Sequence, residues 1–380
     1  MTPVPAVGAG AAAESRLRSY LEEQVRGGLI PGAAWVVARQ GLTLTSGAVG
    51  WSQLLPRRRR ARLETVYDLA SLTKPLVTAA LAVLLAREGR VSLEEPAAGR
   101  LPELAGSPYA PCTLLDLLLH RSGLPAWEPL YLHGTQRGDY LCRMALLPPV
   151  GIRGRQVVYS DLGYIAAGIL LERAAGSGLS KLFQERIGRI LGNAGEDLSF
   201  RPPRPFLLRA APTEMGNRHE EAMAVERAGS RARGYRGWRQ DLIQGQVHDQ
   251  NAWALGGVSG HAGLFGSAPA VAVLGREFLP GSRLFKAAEL TMFTTSGTQG
   301  LGEDRTVGFH LAAAGCPAAG LSPRSYGHVG FTGTSLFLDP ETATVFVLLT
   351  NRVHPRCREA DMKAFRRGFH RLAARLLAGS

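Results

Sequence analysis

The chain has 380 residues, of which 45% are hydrophobic and 20% are charged; this balance is typical of a folded globular protein and excludes a disordered chain. The formal net charge is +13, and arginines are concentrated at residues 57–62 and 227–239. No zinc-finger, recognition-helix or aromatic-interleaved motif accompanies these runs, so we interpret them as solvated loops and expect no nucleic-acid partner.

Targeting signals are not visible in the sequence. The longest near-continuous apolar run, residues 76–86, is shorter than a bilayer span. Residues 1–7 lack the basic and apolar regions of a secretory signal. We therefore expect a cytoplasmic protein with no membrane span. Four scattered cysteines form no Cys-x-x-Cys pair and are expected to be free thiols: Cys112, Cys142, Cys316 and Cys357.

The first elements in chain order are a helix and a hairpin. Leu17, Leu21 and Val25 share one face of the helix. Residues 33–38 and 42–45 are two short apolar runs separated by a turn, which is the pattern of a β-hairpin.

The middle of the chain is predicted to be mainly helical. Apolar helices are expected over residues 75–86, 114–120 and 162–175. Residues 202–239 are polar and rich in glycine and arginine, so we predict a long loop there.

Strand patterns return near the end of the chain. Residues 333–338 and 344–349 predict a second hairpin. A final helix follows, with its apolar residues on one face: Met362, Phe365, Phe369, Leu372 and Leu376.

This order predicts an α+β fold, in which an antiparallel sheet is built from both chain ends and flanked by the terminal helices. Residues 1–75 and 250–380 would form this discontinuous sheet domain, and residues 76–249 an inserted, mainly helical domain. The active site is expected at the seam between them.

The motif Ser71-Leu72-Thr73-Lys74 stands where a polar loop enters the apolar helix. A spacing of three residues places Ser71 and Lys74 on one helical face. A buried lysine can accept the proton of a serine hydroxyl, and a helix N-terminus offers N–H groups to a developing oxyanion. Alone, the pair is weak evidence, because Ser-x-x-Lys is more typical of a capped helix start with a solvated lysine.

Two further motifs follow in order, Tyr159-Ser160-Asp161 and His328-Val329-Gly330-Phe331. With Ser71-Leu72-Thr73-Lys74 and residues 119–125, they resemble the serine beta-lactamase and penicillin-binding-protein superfamily, in particular its class C and esterase-like branch. That family carries Ser-x-x-Lys, Tyr-x-Asn and Lys-Thr-Gly or His-x-Gly in this order. The resemblance runs over residues 15–378 and implies the beta-lactamase/transpeptidase-like fold.

The resemblance also implies roles for individual residues. Ser71 would be the acylated nucleophile, and Lys74 and Tyr159 would share its proton. The backbone N–H groups of Ser71 and Phe331 would form the oxyanion hole, and Gly330 would let substrate approach the strand edge. No cofactor and no metal are implied.

Two residues depart from the family pattern. Asp161 replaces an asparagine, and an ionised aspartate cannot donate to a substrate carbonyl; it would also hold Lys74 protonated, which favours Tyr159 as the base. His328 replaces a lysine and is only partly charged at neutral pH, which weakens carboxylate recognition. Both changes favour an esterase or peptidase over a beta-lactamase.

Residues 248–263 are dense in histidine and glycine. His248, Asp249 and His261 could be metal ligands, but their spacing matches no zinc signature. Two other interpretations are a tight backbone crossing below the active site and direct contact with substrate. The tight backbone crossing, a structural role, is favoured. Ser259 lacks the glycine arrangement of a nucleophile elbow, and His120 is expected to be a buried, hydrogen-bonded histidine.

The sequence thus predicts a serine hydrolase that forms an acyl-enzyme with a small ester, amide or D-amino-acid-type substrate, and that small-molecule acyl substrate is the expected partner. Alternatives are a beta-lactamase or D-Ala-D-Ala carboxypeptidase, and a non-catalytic sensor of the penicillin-binding type. The sequence indicates neither the acyl group nor the oligomeric state.

Overall fold

The computed structural model describes residues 7–312 and 318–377. Its main sheet has seven antiparallel strands in the order β3-β2-β1-β10-β9-β8-β7, and a small sheet has the order β4-β6-β5. The strands are β1 Gly32–Arg39, β2 Leu42–Gln53, β3 Arg59–Arg60, β4 Tyr67–Asp68, β5 Leu198–Phe200, β6 Leu264–Gly266, β7 His310–Leu311, β8 Tyr326–Val329, β9 Ser335–Asp339 and β10 Thr344–Thr350.

The centre of the main sheet joins the two ends of the chain. Both predicted hairpins are present, β1–β2 and β9–β10, and β1 pairs with β10 along its length, from Ala33 opposite Thr350 to Arg39 opposite Thr344. The predicted α+β fold, with one antiparallel sheet built from both chain ends, is therefore confirmed.

Strand β1 is buried along most of its length because helices cover both faces of the sheet. Trp35 and Val37 lie in one apolar cluster with residues of the first and last helices. Ala34 and Val36 lie in the larger cluster on the opposite face, which includes the helices of the middle of the chain. This alternation is the period of two that a strand imposes.

Helices make up most of the remainder. The longer α-helices are Val7–Arg26, Ala80–Arg87, Arg137–Ala145, Asp161–Ala175, Arg218–Ala228, Ala268–Arg276, Ala287–Thr294 and Met362–Ala374. Shorter ones are Leu114–Leu118, Leu179–Phe183, Arg189–Leu191, Asn193–Glu196, Arg204–Leu207, Ser230–Arg233 and Gln250–Ala254. Single 3₁₀ turns cover Ala70–Leu72, Ala97–Gly99, Pro102–Leu104 and Leu130–Leu132, and π-helical turns cover Lys74–Ala79 and Gln184–Gly188.

The prediction of a long loop over residues 202–239 is wrong, because this stretch contains three helices, the longest being Arg218–Ala228. Only Glu220 and Ala224 of that helix are buried. A helix that buries so few residues needs no repeating apolar positions, so its sequence does not show the helical period. The composition of Arg218–Ala228 therefore resembles that of a loop.

The helix after Ser71 is not a regular α-helix from its start. A 3₁₀ turn and the π-helical turn Lys74–Ala79 precede the α-helix Ala80–Arg87. Pro75 lacks the N–H group that would continue a regular ladder. The 18 residues Ala70–Arg87 are long and apolar enough to cross a membrane, but 83% of them are buried inside the protein. This is weak evidence for a membrane span and is typical of a core helix.

The division into domains at residues 75 and 250 stays a prediction. Cys112, Cys142 and Cys357 are free thiols, as expected, whereas Cys316 lies outside the described residues.

Candidate active site

Ser71 lies in a tight turn that a buried carboxylate holds in place. The turn follows β4, and Ala70 has a left-handed backbone with φ of 49°, which is strained for a residue with a Cβ. Asp68 Oδ1 accepts a hydrogen bond from the Ala70 N–H at 2.9 Å, and its Oδ2 accepts one from the His248 N–H at 2.7 Å. Asp68 thereby fixes the backbone at the serine.

Lys74 is fully buried beneath Ser71. Its Nζ donates to Ser71 Oγ at 2.9 Å and to the His261 carbonyl at 3.3 Å, and it lies 2.7 Å from Asp161 Oδ1. Burial lowers the pKa of Lys74, but the charge of Asp161 and the neighbouring Tyr159 outweigh it, so that the pKa is raised above its usual value. The lysine is therefore an ammonium at neutral pH.

Tyr159 completes the group around Lys74. Its ring centroid lies 5.0 Å from Lys74 Nζ, and its phenol is hydrogen-bonded to that lysine. The ring packs against His120 at 4.5 Å and His328 at 5.9 Å between centroids. His120 Nδ1 accepts from the Ser160 N–H at 2.9 Å, so His120 has the buried, hydrogen-bonded place expected for it.

The strand edge of the site is formed where β8 ends. Gly330 has no room for a side chain, because a Cβ there would lie 2.1 Å from Thr334 Oγ1 and 2.7 Å from the Leu69 carbonyl. Phe331 follows and borders, with Ser71, both pockets of the site. The N–H groups proposed for an oxyanion hole thus belong to two residues that border the same pockets.

His328 lies on this edge in a buried position. Burial, and then the charge of Lys74, lower the pKa of His328 well below its usual value. The side chain is therefore neutral at pH 7, and it cannot supply the positive charge that the lysine of a Lys-Thr-Gly motif would have here.

Asp249 and His261 form a pair below the serine. Asp249 Oδ1 caps the helix Gln250–Ala254 by accepting from the Ala252 N–H at 2.7 Å, and it lies 2.9 Å from His261 Nε2. Burial would raise the pKa of Asp249, but the contacts with His261 and Ala252 lower it to about 2. His261 Nδ1 lies 2.9 Å from Ser259 Oγ, so both ring nitrogens of the histidine are engaged.

Of the three metal candidates named from the sequence, Asp249 and His261 come together and His248 does not join them. His248 Nε2 lies 3.1 Å from Glu214 Oε2. Asp249 and His261 instead lie near Asp161, with one ligand atom of each within 4.8 Å of the others. These three side chains could hold a metal ion, although Asp161 already has the Lys74 ammonium as its partner.

Two pockets open on Ser71; Asp161 borders both, and they differ in their other charged side chains. A small one of about 130 Å³ is bordered by four carboxyl and three imidazole side chains: Asp68, Asp161, Glu220, Asp249, His219, His248 and His261. A larger one of about 480 Å³ is bordered by Tyr159, His328 and three arginines: Arg305, Arg352 and Arg366. Asp68, Glu220 and these arginines were not recognised from the sequence, because no motif contains them.

The chain is similar to known proteins over most of its length. The family model described as Beta-lactamase matches residues 17–367. A putative D-alanyl-D-alanine carboxypeptidase of Escherichia coli K12 is 32% identical over 332 residues, covering 80% of this chain and 73% of its own. An N-acetylmuramyl-L-alanine amidase of Bacillus subtilis 168 is 29% identical over 371 residues, covering 89% and 81%.

Solved structures share the fold at low identity. The hydrolase EstCE1, described as having promiscuous acyltransferase activity, superposes with a TM-score of 0.72 at 18% identity, covering 96% of this chain and 99% of its own. A class C beta-lactamase gives a TM-score of 0.72 at 15% identity, covering 98% of both chains. The resemblance drawn from the motifs is confirmed.

Proposed function

The chain belongs to the Beta-lactamase family, and from that premise we propose that it is a serine hydrolase that forms an acyl-enzyme at Ser71. The observation that carries the proposal is the distance of 2.9 Å between Ser71 Oγ and the fully buried Lys74 Nζ. A nucleophile and its proton-handling partners within hydrogen-bond reach are the signature of covalent catalysis.

Acylation moves one proton and exchanges one bond. As Ser71 Oγ bonds to the substrate carbonyl carbon, its proton passes to the Tyr159 phenolate, which the Lys74 ammonium stabilises. The N–H groups of Ser71 and Phe331 bind the oxyanion. When the bond from carbon to the leaving group breaks, Tyr159 returns the proton to that group. Water then attacks the acyl-enzyme as Tyr159 takes one of its protons. When the bond from the acyl carbon to Ser71 Oγ breaks, Tyr159 passes that proton to Ser71 Oγ, and the other water proton leaves with the carboxylic acid product.

We further propose that the substrate is a small amide of the D-amino-acid peptide type, with a carboxylate on its leaving group. The three arginines beside Tyr159 supply the positive charge that the neutral His328 lacks. The two curated relatives are named as a putative carboxypeptidase and an amidase, which supports an amide bond over an ester. Asp161 disfavours a beta-lactamase, because it cannot donate to an acyl-amide carbonyl as asparagine does.

Covalent labelling tests the acyl-enzyme directly. The folded protein is incubated with a fluorescent fluorophosphonate or a fluorescent penicillin, and the adduct is located by mass spectrometry. We expect a single adduct on Ser71 that is absent from Ser71→Ala. Folded protein that takes up neither label, and hydrolyses no p-nitrophenyl ester of any chain length, would overturn the proposal. Labelling without turnover of any acyl substrate would favour the sensor instead.

A further inference from the structure

The small pocket beside Ser71 is bordered by four carboxyl groups, three histidines and several apolar side chains. Asp161, Glu220 and Asp249 border it together with Trp127 and Met223, and no described lysine or arginine does so. A lining in which four carboxyl groups stand beside three imidazoles, with no described lysine or arginine, is suited to a small cation. Its volume of about 130 Å³ admits only a small group.

Glu220 carries a buried carboxyl oxygen that receives no hydrogen bond from the described residues. The residue is 5% exposed and lies in the helix Arg218–Ala228. Its Oε2 accepts from the Gln250 N–H at 2.8 Å, whereas its Oε1 is buried and accepts from no described group. A buried acceptor without a donor is destabilising. A ligand with N–H groups in the pocket would satisfy it.

The neighbouring charge strengthens the same argument. Burial, and then the charge of Asp249, hold the pKa of Glu220 well above its ordinary value. Asp249 is itself ionised, because its pKa is about 2. A cation in the pocket that both residues border would be attracted by Asp249 and would lower the pKa of Glu220 again.

The position of Tyr159 shows which part of a substrate enters this pocket. Tyr159 borders the larger, arginine-lined pocket and not the small one. The leaving group receives its proton from Tyr159 in the proposed reaction, so it occupies the larger pocket. The acyl group must then extend into the acidic pocket.

We propose that the small pocket binds the free α-ammonium group of the acyl residue through Glu220, Asp249 and Asp161. The substrate is accordingly an unblocked aminoacyl amide or dipeptide, and not an N-acylated one. This inference rests on the proposed function and narrows its substrate class. An α-ammonium stands one carbon from the attacked carbonyl, and Asp161 joins the pocket to Lys74 at 2.7 Å and so to Ser71.

A divalent metal is a poorer occupant of the same place. Of the three possible ligands, Asp161 is paired with Lys74, and His261 uses one ring nitrogen for Ser259 and the other for Asp249. A metal would have to displace the Lys74 ammonium or be held beside it, which Coulomb repulsion disfavours. The experiment includes an arm for this case.

The test compares two amides that differ only at the amino group. The full chain is assayed with D-alanine p-nitroanilide and with N-acetyl-D-alanine p-nitroanilide, and p-nitrophenyl propionate reports on Ser71 alone. Acetylation removes the charge of the amino group and with it a charge-assisted hydrogen bond to the pocket. We therefore expect kcat/KM of the unblocked amide to exceed that of the acetylated amide about tenfold or more. Glu220→Gln should lower this ratio about tenfold, mainly through KM, with the propionate ester unaffected.

Glu221→Gln is the matched control, since it removes one carboxylate from the same helix beside the pocket residue and should leave the ratio unchanged. Asp249→Asn keeps a residue that can cap the helix and should also lower the ratio. All four proteins are first labelled with fluorophosphonate, which shows that Ser71 remains reactive.

The outcomes separate this inference from the proposed function. Ester turnover with an equal rate for both amides, or a ratio that Glu220→Gln leaves unchanged, overturns the ammonium site while Ser71 catalysis stands. Absence of labelling and of all turnover in folded protein overturns the proposed function, and the site with it. A preference that EDTA abolishes and Zn²⁺ restores overturns direct binding of the ammonium by the carboxylates.

Discussion

Lys74 Nζ lies 2.7 Å from Asp161 Oδ1, and the side chain of the lysine has no exposure to solvent. This ion pair keeps the lysine protonated, because the charge of Asp161 helps to outweigh the cost of burial in the pKa of Lys74. An ammonium donates to Ser71 Oγ and cannot take its proton. Because of this ion pair, Lys74 acts as a positive charge that stabilises the reacting groups, and Tyr159 is the base that accepts the Ser71 proton.

Tyr159→Phe tests that assignment. The ring would keep its packing against His120, but the proton acceptor would be lost, so we expect the acylation rate of Ser71 to fall by about 10²–10⁴-fold. The measurement is the time course of the acyl adduct by mass spectrometry. Tyr164→Phe is the control, because its phenol donates to the Leu118 carbonyl and its loss should reduce stability alone. Unchanged acylation in Tyr159→Phe would identify Lys74 as the base.

Asp161→Asn should move the enzyme towards beta-lactam chemistry. The pKa of Lys74 should fall, because burial is then opposed only by Tyr159. The new amide can also donate to the acyl-amide carbonyl of a lactam. One such hydrogen bond corresponds to about a tenfold rise in the rate of acylation by nitrocefin. Stopped-flow measurement of nitrocefin opening checks this, and a rate at or below that of the parent would contradict it.

Much of the site could be predicted from the sequence, because the residues of each motif are close together along the chain. Ser71 and Lys74 are one helical turn apart, and the motifs around Tyr159 and Gly330 each lie within a few residues. The two hairpins and the terminal helices follow from apolar periods that the sequence displays directly. Side chains that lie within a few residues of each other on one helix or strand form motifs that can be recognised in the sequence.

The remainder depends on contacts between distant segments. Asp68 accepts from the N–H of His248, 180 positions away in the chain, and nothing near either residue indicates this. Glu220 lies on a helix whose polar composition resembles a loop. Arg352 reaches the site from the end of β10. Their roles arise from the tertiary fold, so no periodic pattern could reveal them.

Gly330→Ala tests the strand edge. The added Cβ would lie 2.1 Å from Thr334 Oγ1 and 2.7 Å from the Leu69 carbonyl, so the strand must move away from Ser71 and the Phe331 N–H with it. Loss of one oxyanion donor costs about 10²–10³-fold in rate, and we expect a fall of that order in acylation by p-nitrophenyl esters. Gly99→Ala is the control, since a Cβ there meets no atom within 4 Å. Parent-like acylation of a folded Gly330→Ala protein would exclude this role.

Arg352→Met tests recognition of a leaving-group carboxylate. Arg352 Nε donates to the Phe331 carbonyl, and its Cζ lies 4.6 Å from the Phe331 ring centroid, so the guanidinium stands at the mouth of the larger pocket. Methionine keeps an apolar stem of similar length but has no charge. We expect KM for D-alanyl-D-alanine to rise about tenfold, the value of one charge-assisted hydrogen bond. KM for the corresponding C-terminal amide should not change; an equal rise for both substrates would show a steric effect.

His370→Gln tests a source of acid sensitivity remote from the site. His370 is fully buried between the last helix and the sheet, and burial, and then the charge of Arg366, lower its pKa to about 3. The unfolded chain binds a proton at its usual pKa near 6.5. Stability from this residue is therefore complete above pH 6.5 and is lost as the pH falls towards 3, by about 1.4 kcal/mol per pH unit within that window.

Glutamine does not titrate, and its amide can replace the contact of His370 Nε2 with Ser335 Oγ at 3.3 Å. Urea unfolding from pH 7.5 to pH 4.5 should show a free energy of unfolding that falls less steeply in His370→Gln than in the parent, by about 1.4 kcal/mol per pH unit below pH 6. Ser335→Ala removes the same contact but retains the titrating group, so it should shift the whole curve without changing its slope. Equal slopes in the parent and His370→Gln would mean that His370 is protonated in the folded protein.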